Sequence, residues 1–346
     1  MLIDAHLDLA FNAVANGADL TLPLDALRTS PFGQMMTARQ ETPMVALPEL
    51  RAADVRIVFG TIFVAAAGTV FNMQGPTYST AAEANKLGWE QIHYYHQLAA
   101  QAEATLVQNQ ADVLAVLEGA VSQPGIVLLM EGADPIRDAA ELEQWVQAGL
   151  RVVGPAWGAT RYSGGTGAPG PLTALGRELM DALQHYNLTL DTSHMADESF
   201  WEALRLHAGP VIASHSNCRA LVPGDRQLSD DMIRAIVARD GVIGVVLYNN
   251  YLQADYDQRD GKTVPLEAVV RQIEHICALT GDTKHVGIGS DFDGGLGVEW
   301  TPLGLDSCAD LPRIGDALRA VGWRDDDIAR VLGGNWARWL RGILPD

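Results

Sequence analysis

The stretch IDAHLDLAF, Ile3 to Phe11, places His6 and Asp8 two positions apart at the end of an apolar run. On an extended strand, residues i and i+2 project to the same side, so the two side chains converge just past the strand's end. An imidazole nitrogen beside a carboxylate suits a zinc-like ion. A strand-end turn with a solvated aspartate is the simpler alternative. The same residue types recur further on: Glu131 in IVLLMEGAD, His194 in LTLDTSHMAD, His215 in PVIASHSN and Asp291 in HVGIGSDFDGG. Each has an ordinary explanation: Asp191 and Asp293 read as turn caps, Asp291 as a polar strand end, a lone histidine as hydrogen-bonded structure. The metal reading is carried by their coincidence at five strand ends. Two zinc-like ions need about this set, one carboxylate bridging them and open positions left for water and substrate.

The elements that must position these residues are short apolar runs alternating with helical patterns. Eight runs are strand candidates: Leu2–Ala5, Val55–Val64, Gly125–Met130, Arg151–Ala156, Leu188–Thr192, Pro210–Ser214, Val242–Leu247 and His285–Ser290. The helical patterns are Ala81–Ala111, Ala139–Gln147, Leu172–His185, Asp197–Leu206, Ser229–Arg239, Leu266–Thr280 and Leu311–Ala320. Eight βα units predict an α/β fold, a TIM-like (β/α)8 barrel formed as a single domain over residues 1–346, whose active-site face lies at the C-terminal strand ends. A doubly wound open sheet is the rival. YSGGTGAPGPL, Tyr162 to Leu172, is too rich in Gly and Pro for strand or helix and reads as a loop over the mouth. Asn12 to Leu50 has weak periodicity and is assigned no element. His93, His96, His185, His207 and His275 lie in or after helices, and His285 opens the eighth strand at the opposite rim, so none is a site candidate.

Composition narrows the function. With 24 basic and 43 acidic residues the net charge is −19, which repels phosphate backbones and anionic lipid and excludes nucleic acid as a partner. No apolar run is long enough to span a bilayer and no signal sequence opens the chain, so a cytoplasmic location without membrane association is expected. Cys218, Cys277 and Cys308 are widely spaced with no CxxC, which leaves His and carboxylates to hold any metal.

These motifs resemble the membrane (renal) dipeptidase family, the M19 peptidases of the amidohydrolase superfamily. DAHLD resembles its first-strand signature, DTSHMADESFWEAL and VIASHSNCRAL its two later histidine segments, and HVGIGSDFDGG its eighth-strand segment; GGNWARWL resembles its end. The resemblance implies a TIM-like barrel and two Zn2+ per chain. His6, Asp8 and Glu131 would bind one ion, and Glu131, His194 and His215 the other. It implies a dipeptide substrate, Arg226 (in VPGDRQLSDD) holding the terminal carboxylate, and Asp291 as the group that takes a proton from the attacking, metal-bridging hydroxide's parent water and meets the substrate's amino group. Without that context Arg226 reads as a surface salt bridge to Asp225. Members are often dimers, so a homodimer is expected. One departure stands out: members carry a substrate-binding histidine after strand four, where VVGPAWGAT has Trp157. An indole donates a hydrogen bond but neither accepts one nor carries a proton. An amidohydrolase acting on another small amide, N-acyl amino acid or lactone is therefore the alternative, and a catalytically silent binding protein of the same fold a further one.

Overall fold

The computed structural model describes residues 1–68, 75–257, 259 and 261–346. Eight parallel strands run in chain order: β1 (Leu2–Leu7), β2 (Val55–Phe63), β3 (Gly125–Glu131), β4 (Leu150–Gly154), β5 (Thr189–Asp191), β6 (Val211–Ile212), β7 (Ile243–Val245) and β8 (Val286–Ile288). Each pairs with its sequence neighbours except across β6 and β7, and β1 pairs with β8. The seam between β6 and β7 is the thinnest, a bridge from Ala213 to Ile243 with Gly244 N–H donating to the Ala213 carbonyl at 2.8 Å. A barrel of this kind buries both faces of its strands, which is why GIVLLME is buried at every position.

The two-residue period of the strands carries the core directly into the site. In the β2–β3 register Phe59 pairs with Val127, Thr61 with Leu129 and Phe63 with Glu131. Ile57, Phe59, Val127, Leu129, Val152 and Ile212 pack with Trp336 of the C-terminal helix Asn335–Ile343 in one buried cluster. The same strand face continues upward to Phe63 and Glu131, which line a cavity at the strands' C-terminal ends.

Four expectations need correction. The pattern Ala81–Ala111 is not one helix: it stops at Ala100, Ala102 takes a left-handed φ of 58°, and Thr105–Leu106 pairs with β3. Asn109 then starts a separate helix, Gln110–Leu117, through a capping box with Asp112. The stretch Tyr162–Leu172 is a β-hairpin, Ser163–Gly165 against Ala168–Leu172. Its glycines allow the close approach, since a Cβ on Gly164 would sit 2.6 Å from the Gly170 backbone. The unassigned region Asn12–Leu50 holds short helices at Leu9–Asn16, Leu24–Thr29, Pro31–Ala38 and Leu47–Ala52. Finally, β1 runs on to Leu7, so Asp8 lies beyond the strand as the residue preceding helix Leu9–Asn16. Strand alternation therefore does not aim Asp8; the turn into that helix does. No helix among the described residues is long and apolar enough to cross a membrane.

Candidate metal centre

All six residues singled out from strand ends meet at the barrel mouth. His6 lies in β1, Glu131 closes β3, and His194, His215 and Asp291 follow β5, β6 and β8. His194 and Asp291 adopt left-handed backbone with φ of 65° and 62°, a conformation that costs energy in non-glycine residues and persists where the surroundings enforce it. Gly294 is required for space: a Cβ there would lie 2.1 Å from Asp291 Oδ1 and 2.6 Å from Asp8 Oδ2.

The donor atoms lie close enough together to hold metal ions. His194 Nε2 is 3.1 Å from Glu131 Oε1 and 3.1 Å from His215 Nε2, and His215 Nε2 is 3.3 Å from the same Oε1. Vertices of a tetrahedron with zinc–ligand bonds of about 2.0–2.1 Å lie about 3.3 Å apart, so this triangle has the dimensions of one face. The other Glu131 oxygen, Oε2, is 3.4 Å from His6 Nε2, and His6, Asp8 and Asp291 can each bring one ligand atom within 4.8 Å of the others. His6 Nε2 is buried with no hydrogen-bond partner among the described residues. A buried nitrogen without a hydrogen-bond partner that faces carboxylates fits a metal ligand.

Electrostatics agree. Burial opposes charge on His6, yet the Glu131, Asp291 and Asp8 carboxylates lift its pKa to about 10. Burial acts against the Glu131 carboxylate, but the charge on His6 and the close imidazoles of His194, His215 and His6 hold it well below the usual range. Asp8 is pushed up to about 6 by burial and the Glu131 charge, against His6 and the Thr61 hydroxyl. Burial lowers His194 to about 4 and holds His215 well below its usual value, with Arg226 contributing to both. Metal-free, the site thus crowds three carboxylates around one charged ring, a balance that divalent cations replace.

Supporting groups that carried no sequence signal complete the site. Thr61 Oγ1 donates to Asp8 Oδ1, and Tyr95 OH donates to the Thr61 carbonyl at 2.7 Å. Thr166, in the hairpin turn, contacts His194 Nδ1 at 3.0 Å. Asp293 does more than cap a local turn: its carboxylate accepts the Met44 and Val45 N–H groups at 2.8 and 2.9 Å, pinning the helical segment after β1 to the mouth. Asp191 likewise reaches across to the next strand end, accepting the Ser214 N–H at 2.8 Å.

A cavity of about 430 Å³ opens over these donors, lined among others by Phe63, Trp157, Arg226, Tyr248 and Tyr251. Arg226 is no surface ion pair. It is buried, its guanidinium donating to Ser216 Oγ at 2.9 Å and the His215 carbonyl at 2.6 Å and lying 5.6 Å from the Tyr251 ring centroid. The Asp225 carboxylate instead accepts the Gly167 N–H. Trp157 follows β4 and stands between His194 and Phe63, with ring centroids 6.1 and 5.3 Å away; Phe11 is a further 5.3 Å beyond Phe63. One wall is therefore aromatic and another cationic.

Comparison with known proteins places this geometry. The chain is 35% identical over 267 residues to a protein of Klebsiella pneumoniae described as an uncharacterized protein in the pqqA 5′ region, covering 74% of this chain and 95% of that protein. A crystal structure of a metallopeptidase from Rhodobacter sphaeroides, liganded with a phosphinate mimic of the dipeptide L-Ala-D-Ala, is similar with a TM-score of 0.79 at 25% identity, covering 99% of each chain. A dipeptidase structure described as a metallopeptidase of family M19 has a TM-score of 0.81 at 24% identity, over 100% of this chain and 99% of that one, and shows the shared fold. The family model for membrane dipeptidase, peptidase family M19, matches residues 1–343. With the TIM-like barrel, a cluster of side chains that could hold metal and a match along nearly its whole length, the chain belongs to the membrane dipeptidase family and is a metallopeptidase.

Proposed function

We propose that the chain is a binuclear zinc dipeptidase that hydrolyses the peptide bond of small dipeptides. The observation that carries this reading is the division of the Glu131 carboxylate, with Oε1 beside His194 and His215 and Oε2 beside His6. His6, Asp8 and Glu131 would hold one ion, and Glu131, His194 and His215 the other. When bound, the two ions supply the Lewis acidity that makes water nucleophilic at neutral pH and polarises the scissile carbonyl. Asp291, beside His6 and Asp8, accepts the proton of the attacking water and delivers it to the leaving amine as the C–N bond breaks. The aromatic wall of Phe63 and Trp157 excludes water from the reacting bond.

Arg226 anchors the substrate's terminal carboxylate. Two of its N–H groups are committed to Ser216 and His215, and its Nε has no partner among the described residues, so a forked cation remains for a carboxylate. The net charge of −19 does not draw carboxylates in from a distance, which leaves the local attraction to do so. Arg226→Ala is expected to raise KM for a free dipeptide roughly 10- to 100-fold, the worth of a charge-assisted pair of about 1.5–3 kcal/mol. A dipeptide amide, which lacks the carboxylate, should be much less affected. Equal losses for both substrates in steady-state assays would make Arg226 structural.

The aromatic wall also supports a second reading, an amidohydrolase acting on an N-acyl amino acid, another small amide or a lactone. A panel of L,L and L,D dipeptides, acyl amino acids and lactones, assayed on metal-loaded protein, separates the two. Hydrolysis of dipeptides is expected; none on any of them, with turnover of an acyl amino acid or lactone, would establish the second reading. Trp157→His places a titratable group beside the carbonyl and is expected to keep the bound metal while raising dipeptide turnover. Loss of dipeptide turnover with metal retained would show that the indole itself is needed to shape the pocket.

A further inference from the structure

Behind the ligands, out of the cavity, lies a buried hydroxyl whose contacts leave little choice about where its proton goes. Ser214 Oγ is 2.6 Å from Asp191 Oδ2, 2.8 Å from His215 Nδ1 and 3.2 Å from His6 Nδ1. Asp191 Oδ1 is already engaged by the backbone N–H groups of Ser193 and Ser214, at 3.0 and 2.8 Å. Ser193 Oγ is 3.3 Å from Ser214 Oγ and accepts the His215 N–H at 3.1 Å. Ser214 and Asp191 are 0% and 2% exposed, and the backbone of Ser214 is wedged in place, since a Cβ on Gly244 or Gly289 would come within 1.9 Å of its carbonyl oxygen.

A serine hydroxyl has one proton and two lone pairs. The proton goes to the Asp191 carboxylate, its shortest contact. The lone pairs then face His215 Nδ1 at 2.8 Å and His6 Nδ1 at 3.2 Å, with Ser193 Oγ the longest contact at 3.3 Å, and a ring that shares this hydroxyl donates from Nδ1. A ring that donates from Nδ1 is free to present a bare Nε2, the atom that faces Glu131 in both His215 and His6.

We infer that Asp191 and Ser214 are positioning residues that fix the Nδ1–H form and the orientation of His215 and His6 together, so that one hydroxyl prepares one ligand for each of two metal ions. The inference rests on the binuclear reading for its metal half and on hydrogen-bond counting for its tautomer half. His194 stands outside the unit, since its Nδ1 contact is Thr166 of the hairpin. Loss of the hydroxyl therefore loosens both sites at once, as outer hydrogen-bond partners of metal ligands do by roughly 10- to 100-fold in affinity.

The sharpest variant keeps the shape and miscounts the proton. In Asp191→Asn the two backbone N–H groups hold the amide oxygen in the Oδ1 position, so the NH2 group takes the Oδ2 position and donates to Ser214. The serine proton must then turn toward a histidine, whose own proton moves to Nε2. Histidine-selective 15N NMR of the metal-free protein should show His215 as the Nδ1–H tautomer in the wild type and as Nε2–H in the variant. Titration with Zn2+ against a chromophoric chelator should show both equivalents weakened roughly 10- to 100-fold, and equally in Ser214→Ala. Wild-type His215 found as Nε2–H would overturn the inference without any variant. So would either folded variant binding both equivalents within about twofold of the wild type. Wild-type protein that binds fewer than two equivalents while showing the Nδ1–H form would remove the binuclear reading, and with it the metal half, leaving the tautomer assignment supported.

Discussion

Glu131→Gln is expected to strip the chain of most of its bound metal and to reduce dipeptide hydrolysis to near background. Glu131 is the only one of the six residues whose side chain faces His6 on one oxygen and both His194 and His215 on the other. An amide has one acceptor oxygen, no charge and an NH2 group that donates where a cation should sit. Breaking a buried charge pair by removing one partner costs about 3–5 kcal/mol, so each ion should be held roughly two to four orders of magnitude less tightly. Elemental analysis after dialysis against a chelator, beside kcat for a dipeptide, reads the result. Retention of two equivalents at wild-type affinity would take Glu131 out of the bridging position.

Asp291→Asn should show the opposite split, with metal retained and kcat lowered by about 10²- to 10⁴-fold, the range of a lost general acid–base group. Burial, with the Asp8 and Glu131 charges, pushes the Asp291 carboxyl well above its usual value, against His6 and Arg226. A carboxyl raised in this way exchanges protons nearer neutrality than a surface aspartate. In its protonated form it cannot accept from water, so activity falls as pH drops through its pKa, and the asparagine variant should lose that acid limb. Asp291 Oδ1 is 4.0 Å from His6 Nε2, within the same donor group as Asp8. If Asp291→Asn sheds metal as Glu131→Gln does, Asp291 is a ligand and the proton acceptor must be sought elsewhere.

The hairpin shows why local patterns misled where they did. In YSGGTGAPGPL the glycines and prolines contradict strand propensity, yet the backbone approach they permit builds a two-stranded ribbon whose turn brings Thr166 to His194. Ala81–Ala111 erred the other way: alanine and glutamine continued the helical pattern through a break made by the left-handed Ala102 and the pairing of Thr105–Leu106 with β3. Asp191 and Asp293 were indistinguishable from turn caps, because their partners Ser214, Met44 and Val45 lie far along the chain.

What the sequence determined by itself was the order of eight βα units and the residue types at their strand ends. Both are local properties: apolar runs of strand length between helical patterns, and a histidine or carboxylate where five of those runs stop. His6, Asp8, Glu131, His194, His215 and Asp291 could all be named from them. The tertiary structure decided how those residues face one another. Glu131 divides its oxygens between two sets of histidines only because β3 stands in register with β2 and β4 and the barrel brings β1 beside β8. The hydroxyl behind His215 and His6 is that of Ser214, which lies 208 residues from His6 and is held by the Asp191 carboxylate at the end of the preceding strand. Distances of that kind are set by ladder register and barrel closure between residues as far apart as Asp4 and Ser290, and no window of sequence contains both ends of such a contact.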